Sequence, residues 1–327
     1  MVNTPIKNLN DKDPVQDRIF LVKDKILGVG KTGKTFLTVL IGDQSGQLDG
    51  RIWDNIEEVS SRFDIGDLIK IKGVVQIYNQ RKQLIIHRLD KVDDATINKD
   101  DYKIRERQID TYSLFAELSQ MVKEIEIAPL KQLLQDCLQD EDIKARMLRA
   151  PAAKTIHHAH RGGLLEHVVS ICKVMQFMAS HYSYLNKDLL IFGAIFHDLG
   201  KIWELDQTEQ QQIYYTNQGQ LLGHMLLACE LVEKKSQKIL GFPDDLRTVL
   251  KHIILAHHGK LEYGSPKVPM FPEALVVAMI DDMDSKMDTM MSFINQERQS
   301  GESWSRYNEN FERYFYLDDL KTKWNGK

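Results

Sequence analysis

The chain has 327 residues, of which 43% are hydrophobic and 28% are charged, and its formal net charge is −4. This length and balance predict a folded protein large enough for two domains, and they exclude a disordered or strongly basic chain. The three cysteines include no CxxC pair, which excludes a disulfide framework and a zinc finger and predicts a reducing, cytoplasmic setting. The N-terminus is polar and no long apolar run occurs, so we expect neither a signal peptide nor a membrane contact.

Residues 14–92 alternate between short apolar runs and polar turns, a pattern typical of β-strands. The predicted strands lie at residues 17–27, 35–43, 47–54, 67–78 and 83–92. Residues 55–66 have a helix-like pattern between the third and fourth strands, and this layout predicts an OB-fold barrel. Within 14–92, 13 Lys and Arg residues outnumber 10 Asp and Glu residues, so the barrel is the part expected to face a polyanion.

Residues 28–35 read GVGKTGKT and match the phosphate-binding pattern GxxxxGK[ST] letter for letter. That pattern needs a helix after the loop, because the helix N-terminus supplies amide donors to the phosphates. The residues that follow, FLTVLIGD, are rich in β-formers. We therefore predict a hairpin turn between two strands, in which Lys31 and Lys34 are candidate contacts to a nucleic-acid backbone.

Residues 93–109 are charged and lack a hydrophobic period, which predicts a linker. Segments with helix-like apolar spacing follow at residues 111–125, 128–148, 162–182, 187–201, 220–240, 244–259 and 272–296. The predicted fold class is therefore two-domain. An N-terminal all-β OB-fold barrel occupies residues 14–92, and a C-terminal all-α helical bundle occupies residues 110–327.

Histidine and aspartate residues recur within these apolar helices or at their ends. The set comprises His167, His197, Asp198, His224, His257 and Asp281. Buried ionisable groups without partners cost free energy, so we interpret the set as a metal site. Neutral imidazole and carboxylate suit Mn²⁺, Fe²⁺, Zn²⁺, Ni²⁺ or Co²⁺, and a carboxylate can bridge two ions. We expect Gly200 to stop the helix and so place the adjacent His197 and Asp198 at its end.

The ordered series H…HD…H…HH…D is similar to that of the HD superfamily of metal-dependent phosphohydrolases. Longer strings, among them APAAKTIHHAHRGGLLEHVVS, LLIFGAIFHDLGKIWEL, GQLLGHM, ILAHHGKLEYGSPKVPMFPEA and DDMDSKMD, resemble the YhaM family of 3′-to-5′ exoribonucleases. The resemblance covers about residues 15–315. It implies an OB-fold domain followed by an HD domain. It also implies a hydrolase that shortens single-stranded RNA, or DNA, from the 3′ end to nucleoside 5′-monophosphates.

The resemblance implies a role for each site residue. The implied metal ligands are His167, His197, Asp198, His224, His257 and Asp281. Asp198 would bridge two ions, Lys201 would lie near the scissile phosphate, and His258 would contact phosphate. These three residues are thus the implied catalytic groups.

Two points of the implied site stay open. The ligand carboxylate is one of Asp281, Asp282 and Asp284, with Asp281 preferred. Asp284 is expected to contact Lys286 instead of the metal. The implied cofactors are two divalent ions per chain, Mn²⁺ first, with Co²⁺, Fe²⁺, Ni²⁺, Mg²⁺ or Zn²⁺ as alternatives.

OB-folds hold single strands by stacking bases on aromatic side chains beside a basic groove. The candidate nucleic-acid-binding residues are Lys31, Lys34, Trp53, Lys70, Lys72, Tyr78, Arg81 and Lys82 in the barrel, and His158 before the first ligand helix. Phe20 and Phe36 are further candidates for stacking, with burial in the barrel core as the alternative.

Two other functions stay open. One is an HD-type hydrolase of small or cyclic nucleotides with a regulatory barrel, and the other is a single-strand binder with a structural metal. A small substrate does not need the barrel, and six ligands exceed the four that close a structural site. Both are therefore disfavoured. The expected partner is single-stranded RNA or DNA, and assembly into a homo-oligomer stays open.

Overall fold

A computed structural model describes residues 4–29, 33–78, 81–92, 97, 102, 109–153, 160–208, 213–298 and 302–324. The chain divides into two compact units, Met1–Arg107 with Glu297–Lys327, and Gln108–Gln296. The first unit contains the predicted strands, and the second contains the predicted helices. Among the described residues, no helix combines the length and apolar character that crossing a membrane requires.

Strands close a barrel in the first unit, as predicted. They are β1 (Pro14–Val29), β2 (Thr35–Asp43), β3 (Gly46–Ile52), β4 (Leu68–Tyr78) and β5 (Arg81–Lys91). The order around the barrel is β1-β2-β3-β5-β4. Neighbouring strands are antiparallel except β3 and β5, which are parallel. A short helix, α1 (Ile56–Ser60), lies between β3 and β4 along the chain, which completes the predicted OB-fold layout.

Buried and half-buried side chains alternate along β2, which shows how the sequence forms the barrel. Leu37, Val39 and Ile41 are buried in its core. Phe36 and Thr38 alternate with them and are only half-buried, because successive side chains of a strand point to opposite faces. The core side therefore takes the branched aliphatic residues, and the outer side carries groups that a ligand can reach.

The stretch GVGKTGKT lies at a hairpin. Val29 of β1 pairs with Thr35 of β2, so a strand follows the loop where a phosphate-binding loop requires a helix. The predicted hairpin is confirmed. Lys31 lies outside the described residues.

The second unit is helical in all the predicted segments. Its described helices are α2 (Thr111–Lys123), α3 (Ala128–Leu138), α4 (Glu141–Met147), α5 (Gly163–His181), α6 (Lys187–Phe196), α7 (Lys201–Glu204), α8 (Asn217–Ser236), α9 (Asp244–Ala256) and α10 (Pro272–Glu297). The helix predicted at 128–148 is two helices, because the Asp140 carboxylate accepts hydrogen bonds from the first amides of α4 and caps it. A small hairpin of β6 (Leu205–Gln207) and β7 (Ile213–Tyr215) was not predicted.

Helix α6 is apolar and buried on every side after its first turn. Its residues from Leu190 to Phe196 are all buried, as expected for a helix inside a core. Gly193 lets α10 approach closely, because a Cβ there would overlap the Val277 side chain. The pair that follows α6, His197 and Asp198, is therefore held deep within the helical unit.

The C-terminal segment differs from the helical domain predicted at 110–327. Its described part, residues 302–324, has no helix and contains isolated bridges, including one between Trp304 and Tyr316. Ser305 N donates to Phe315 O, and Phe315 N donates to Ser305 Oγ. These bonds join residues about ten apart and replace the local bonds of a helix. The segment groups with the first unit.

Candidate metal centre

The His197-Asp198 pair lies at the junction of α6 and α7. His197 follows the last residue of α6, and its amide still donates to Gly193 O. Gly200 has φ −60° and ψ −18°, so it does not stop the helix through the left-handed conformation, which corrects the predicted reason for this glycine. Its role is close approach, because a Cβ there would overlap the backbone carbonyl of His224.

A first cluster joins His167 of α5 and His197, which follows α6, to two carboxylates. His167, His197, Asp198 and Asp281 each offer one ligand atom, and these atoms lie within 4.8 Å of one another. His167 Nε2 lies 3.2 Å from His197 Nε2 and 3.2 Å from Asp281 Oδ1. Ligand atoms that share an ion at 2.0–2.2 Å lie about 3–3.5 Å apart. This cluster could hold one divalent cation.

A second cluster lies on the other side of Asp198. The ligand atoms of His224, His257 and His258 lie within 4.8 Å of one another. Asp198 Oδ1 lies 3.5 Å from His224 Nε2 and 3.7 Å from His257 Nε2. The other oxygen, Oδ2, lies 3.5 Å from His197 Nε2 and 3.8 Å from His167 Nε2. One carboxylate therefore faces both clusters, one oxygen to each.

Each of these histidines has its Nδ1 atom occupied by an oxygen acceptor. The contacts are His167 to Asp284, His197 to Gly193 O and Ala194 O, His224 to Glu204, His257 to Ile254 O, and His258 to Tyr263 O. Because these oxygens only accept, Nδ1 carries the proton in the neutral ring and Nε2 presents a lone pair. Among the described residues, the buried Nε2 atoms of His224 and His257 have no hydrogen-bond partner. The donor set therefore fits a divalent cation.

The electrostatics of the first cluster also favour a cation. Burial opposes the charge on His167, but Asp281 and Asp284 outweigh it and raise the pKa of this ring to about 9. Burial likewise opposes the charge on Asp281, yet His197 and His167 hold the pKa of this carboxyl well below its usual range. Such a pocket attracts a positive charge, whether a proton or a metal ion.

The second cluster contains neutral imidazoles. Burial lowers the pKa of His257 to about 3, and the neighbouring His197 acts in the same direction. Burial and the nearby His224 also lower the pKa of His258. Both rings are therefore uncharged at neutral pH, which is the state that binds metal.

Lys201 lies beside the shared carboxylate. Its Nζ is 2.6 Å from Asp198 Oδ2, and the side chain is largely buried. Burial opposes both charges. However, Lys201 keeps the pKa of Asp198 low, and Asp198 keeps the pKa of Lys201 high. A charged ammonium therefore lies within the candidate site.

Asp284 has a different partner from the one expected. Its carboxylate accepts from His167 Nδ1 at 2.8 Å and from Ser170 Oγ at 2.9 Å. Lys286 instead donates to Asp282 at 2.6 Å on the exposed side of α10. Positions 281 and 284 share one helix face and position 282 does not, because a helix repeats every 3.6 residues. This i, i+3 spacing was the signal available in the sequence.

Glu204 is a further residue of the site, and no sequence pattern indicated it. It ends α7, is buried, and accepts from both the backbone amide and Nδ1 of His224. Its position three residues after Lys201, on a helix of four residues, gave no periodic signal. Only the tertiary contact reveals its partner.

The outer face of β2 and β3 carries an aromatic and cationic cluster. The rings of Phe36 and Trp53 have centroids 5.2 Å apart, and the Arg51 guanidinium lies 5.1 Å from the Phe36 centroid. Trp53 is exposed and Phe36 is half-buried, whereas the other candidate for stacking, Phe20, is in the core. Arg51 was not predicted. We call Phe36, Arg51 and Trp53 the β2–β3 platform.

The remaining candidates lie at several places on the barrel. Lys34 begins the second arm of the β1–β2 hairpin and contacts Asp54 at 3.5 Å. Exposed Tyr78 and Lys82 lie at the end of the β4–β5 ladder. Arg81 pairs there through its backbone, but its side chain and all of His158 lie outside the described residues.

The barrel order separates two lysines from the β2–β3 platform. Lys70 and Lys72 lie on β4, whose neighbours are β1 and β5. Lys72 also contacts Asp17 at 3.2 Å. The structure does not bring these lysines together with Trp53.

Comparisons with known proteins match both units. A family model described as the HD domain matches residues 164–286, and one described as an OB-fold nucleic acid binding domain matches residues 16–92. The 3′-5′ exoribonuclease YhaM of Bacillus subtilis is 32% identical over 275 residues, or 84% of this chain and 86% of that protein. Its namesake in Listeria monocytogenes is 32% identical over 303 residues, or 93% of each chain. In Halalkalibacterium halodurans, the protein of that name is 33% identical over 298 residues, or 91% of each chain. These matches confirm the resemblance seen in the sequence, and the chain belongs to the YhaM family.

Proposed function

We propose that this protein is a metal-dependent 3′-to-5′ exoribonuclease that hydrolyses single-stranded RNA to nucleoside 5′-monophosphates. The position of Asp198 carries the proposal, because one carboxylate faces two separate sets of imidazoles. Paired divalent sites of this kind suit hydrolysis of a phosphodiester. The relatives from Bacillus, Listeria and Halalkalibacterium are 3′-5′ exoribonucleases, which supports the same activity.

The proposed cofactors are two divalent cations, with Mn²⁺ as our first choice because the donors are imidazole and carboxylate without thiolate. His167, His197 and Asp281 would hold one ion, and His224 and His257 the other, with Asp198 shared between them. When bound, such ions lower the pKa of a water molecule and neutralise charge on the phosphate.

Lys201 is proposed to stabilise the phosphate. Its ammonium has three donors, and Asp198 uses one of them. A second can reach a non-bridging phosphate oxygen, where charge grows during attack. The pairing with Asp198 holds the Lys201 ammonium beside the candidate cation sites.

His258 suits a role different from the predicted phosphate contact. Its Nδ1 donates to Tyr263 O at 2.9 Å, and its pKa is lowered by burial and by His224. The ring therefore offers an Nε2 lone pair, which cannot donate to a phosphate oxygen. We propose that His258 completes the second cation site or accepts a proton from water.

The β2–β3 platform is the proposed RNA surface of the barrel. OB-folds bind oligonucleotides on the face of strands 2 and 3 and on the loops joining strands 1–2 and 4–5. Trp53 and Phe36 offer stacking faces, and Arg51 adds a cation beside them. Lys34, Tyr78 and Lys82 lie beside the two loops and would contact the strand there.

The cysteines support a reducing, cytoplasmic location. Cys137, Cys172 and Cys229 are buried and unpaired, and burial raises the pKa of each thiol. Such thiols are inert structural groups.

The test uses a 5′-labelled single-stranded RNA of about 30 nucleotides, incubated with the full chain and Mn²⁺ and resolved on a sequencing gel. We expect a ladder that shortens from the 3′ end, abolished by EDTA and by Asp198→Ala. Asp282→Ala is the matched control, because Asp282 is exposed on α10 and contacts Lys286 instead of the clusters. Intact RNA with folded, metal-loaded protein would contradict the proposal and favour small nucleotides as substrates.

A further inference from the structure

Helix α8 is broken immediately before a candidate ligand. Gly223 has φ 75° and ψ 158°, which is not helical, and His224 follows it. After such a break, the His224 amide begins a new helical segment and needs an acceptor from elsewhere. Glu204 supplies that acceptor. Its Oε1 lies 3.0 Å from His224 N and 3.1 Å from His224 Nδ1.

A single carboxylate oxygen thus fixes both the backbone and the ring of one histidine. The backbone contact sets where the helix resumes, and the Nδ1 contact sets the rotation and tautomer of the imidazole. With these two contacts made, His224 Nε2 points to Asp198 Oδ1 at 3.5 Å. The orientation of this ligand therefore depends on Glu204.

Glu204 is itself rigidly held. Its carbonyl accepts from Thr216 N at 2.9 Å, and the Thr216 hydroxyl caps α8 by accepting from Gly219 N. A Cβ at Gly219 would overlap the Glu204 backbone, so α7 and the start of α8 are in close contact. The Glu204 side chain is buried among these elements and has little freedom to move away.

The two clusters have separate supports of this kind. Asp284 orients His167 in the first cluster at 2.8 Å. His197 and His257 rely on backbone carbonyls. Glu204 contacts His224 in the second cluster, and among the described contacts its side chain meets no ligand of the first. A carboxylate is the stronger acceptor and raises the basicity of the ring it holds.

We propose that Glu204 is a positioning residue that sets the cation affinity of the second cluster independently of the first. This inference rests on the proposed function, because it presumes two cation sites that share Asp198. The geometry assigns Glu204 to the second site and Asp284 to the first.

The test is a calorimetric titration of the metal-free full chain with Mn²⁺, with the ion count checked by elemental analysis. Loss of a partner that orients a ligand lowers metal affinity about 10- to 100-fold. We expect Glu204→Ala to weaken the binding of one of the two ions by that factor and to leave the binding of the other unchanged. Glu204→Gln keeps an oxygen that can accept both bonds, so we expect a smaller loss. Asp284→Asn is the matched control and should weaken the binding of the other ion.

A double-mutant cycle separates positioning from a general structural effect. In a His224→Ala background, Glu204→Gln should have no further effect on Mn²⁺ affinity, because its target ring is gone. Circular dichroism confirms that each variant is folded. If the wild-type chain holds two ions and the Glu204 variants bind both normally, or lose both equally, this inference alone is overturned. A wild-type chain that holds one ion overturns the two-ion part of the proposed function, and this inference with it.

Discussion

At the scale of single residues, the charge balance around Asp198 determines the free-energy cost of burying this carboxylate. Lys201 neutralises the buried carboxylate from 2.6 Å away. Removing one member of a buried ion pair leaves an uncompensated charge, which typically costs about 3–5 kcal/mol. Bound cations would supply the same compensation. The lysine is therefore expected to matter most for the stability of the metal-free protein.

Lys201→Met tests this balance. In EDTA, the variant should lose about 3 kcal/mol in free energy of unfolding relative to wild type, measured by urea titration. With saturating Mn²⁺, the stability difference should shrink because the ion compensates Asp198, while the RNA cleavage rate stays low. An equal stability loss with and without Mn²⁺ would contradict this account of Lys201.

His167 gives the metal-free protein a pH dependence. Its pKa is raised to about 9 in the fold, mainly by Asp281 and Asp284 acting against burial. A group whose pKa is raised by folding contributes its full stabilisation when the pH is below its unfolded pKa, which is about 6.5 for histidine. This contribution is lost as the pH rises to about 9. In EDTA, unfolding free energy should therefore fall by a few kcal/mol between pH 6.5 and 9. With Mn²⁺ present the trend should vanish, because the ion takes the place of the proton.

Asp284→Asn is the control for this pH effect. It removes one of the two carboxylates that raise the His167 pKa, so the pH dependence in EDTA should become shallower. An unchanged slope in the variant would mean that another group titrates over this range.

At the scale of elements, the close contact between α7 and α8 depends on two glycines. A Cβ at Gly200 would overlap the His224 carbonyl, and one at Gly219 would overlap the backbone of Glu204. Side chains at these positions would push apart the elements that carry Glu204 and His224.

Gly200→Ala is predicted to destabilise the fold by about 1–3 kcal/mol or more, as overpacking does, and to weaken Mn²⁺ binding. Thermal unfolding and Mn²⁺ titration measure the two effects. Gly46→Ala is the control, because the nearest atom to its added Cβ is Ile6 Cγ2 at 3.7 Å, an ordinary contact. Equal behaviour of the two variants would contradict the close-approach argument.

The β2–β3 platform makes a separate prediction about RNA binding. Stacking of a base on an aromatic ring contributes about 1–3 kcal/mol, so Trp53→Ala should weaken single-stranded RNA binding by roughly 5- to 150-fold in a fluorescence-anisotropy titration. Tyr112→Ala removes an aromatic of α2 that is 74% exposed and should leave affinity unchanged. Similar losses in both variants would argue against a stacking role for Trp53.

At the scale of the whole molecule, local patterns predicted most of the elements and the candidate ligands that lie within them or at their ends. The alternation of strands and the buried character of α6 were readable, and so were the histidines at helix ends. The sequence pattern did not predict the break at Asp140 or the β6–β7 hairpin, because short elements carry little periodicity. The C-terminal segment was predicted to belong to the helical domain, because the contact between Ser305 and Phe315, ten residues apart, leaves no local pattern.

The carboxylates that orient the candidate histidine ligands could not be recognised from the sequence, for a physical reason. Glu204 reaches a histidine 20 residues away, and Asp284 reaches one 117 residues away. The spacing of Asp281 and Asp284 shows only that they share a helix face. The partners of Asp284 and Glu204 are set by how α7, α8, α5 and α10 pack. The role of Gly200 could not be predicted either. Its position in the sequence suggested a helix stop, but its contact partner lies on α8.

The most direct test of the account is the position of cations in crystals of the full chain grown with Mn²⁺, located by anomalous scattering at the manganese edge. We expect two peaks about 3.5–4 Å apart, one on each side of Asp198, with His167, His197 and Asp281 around the first and His224 and His257 around the second. A single peak, or peaks away from Asp198, would contradict the claim that this carboxylate joins two cation sites.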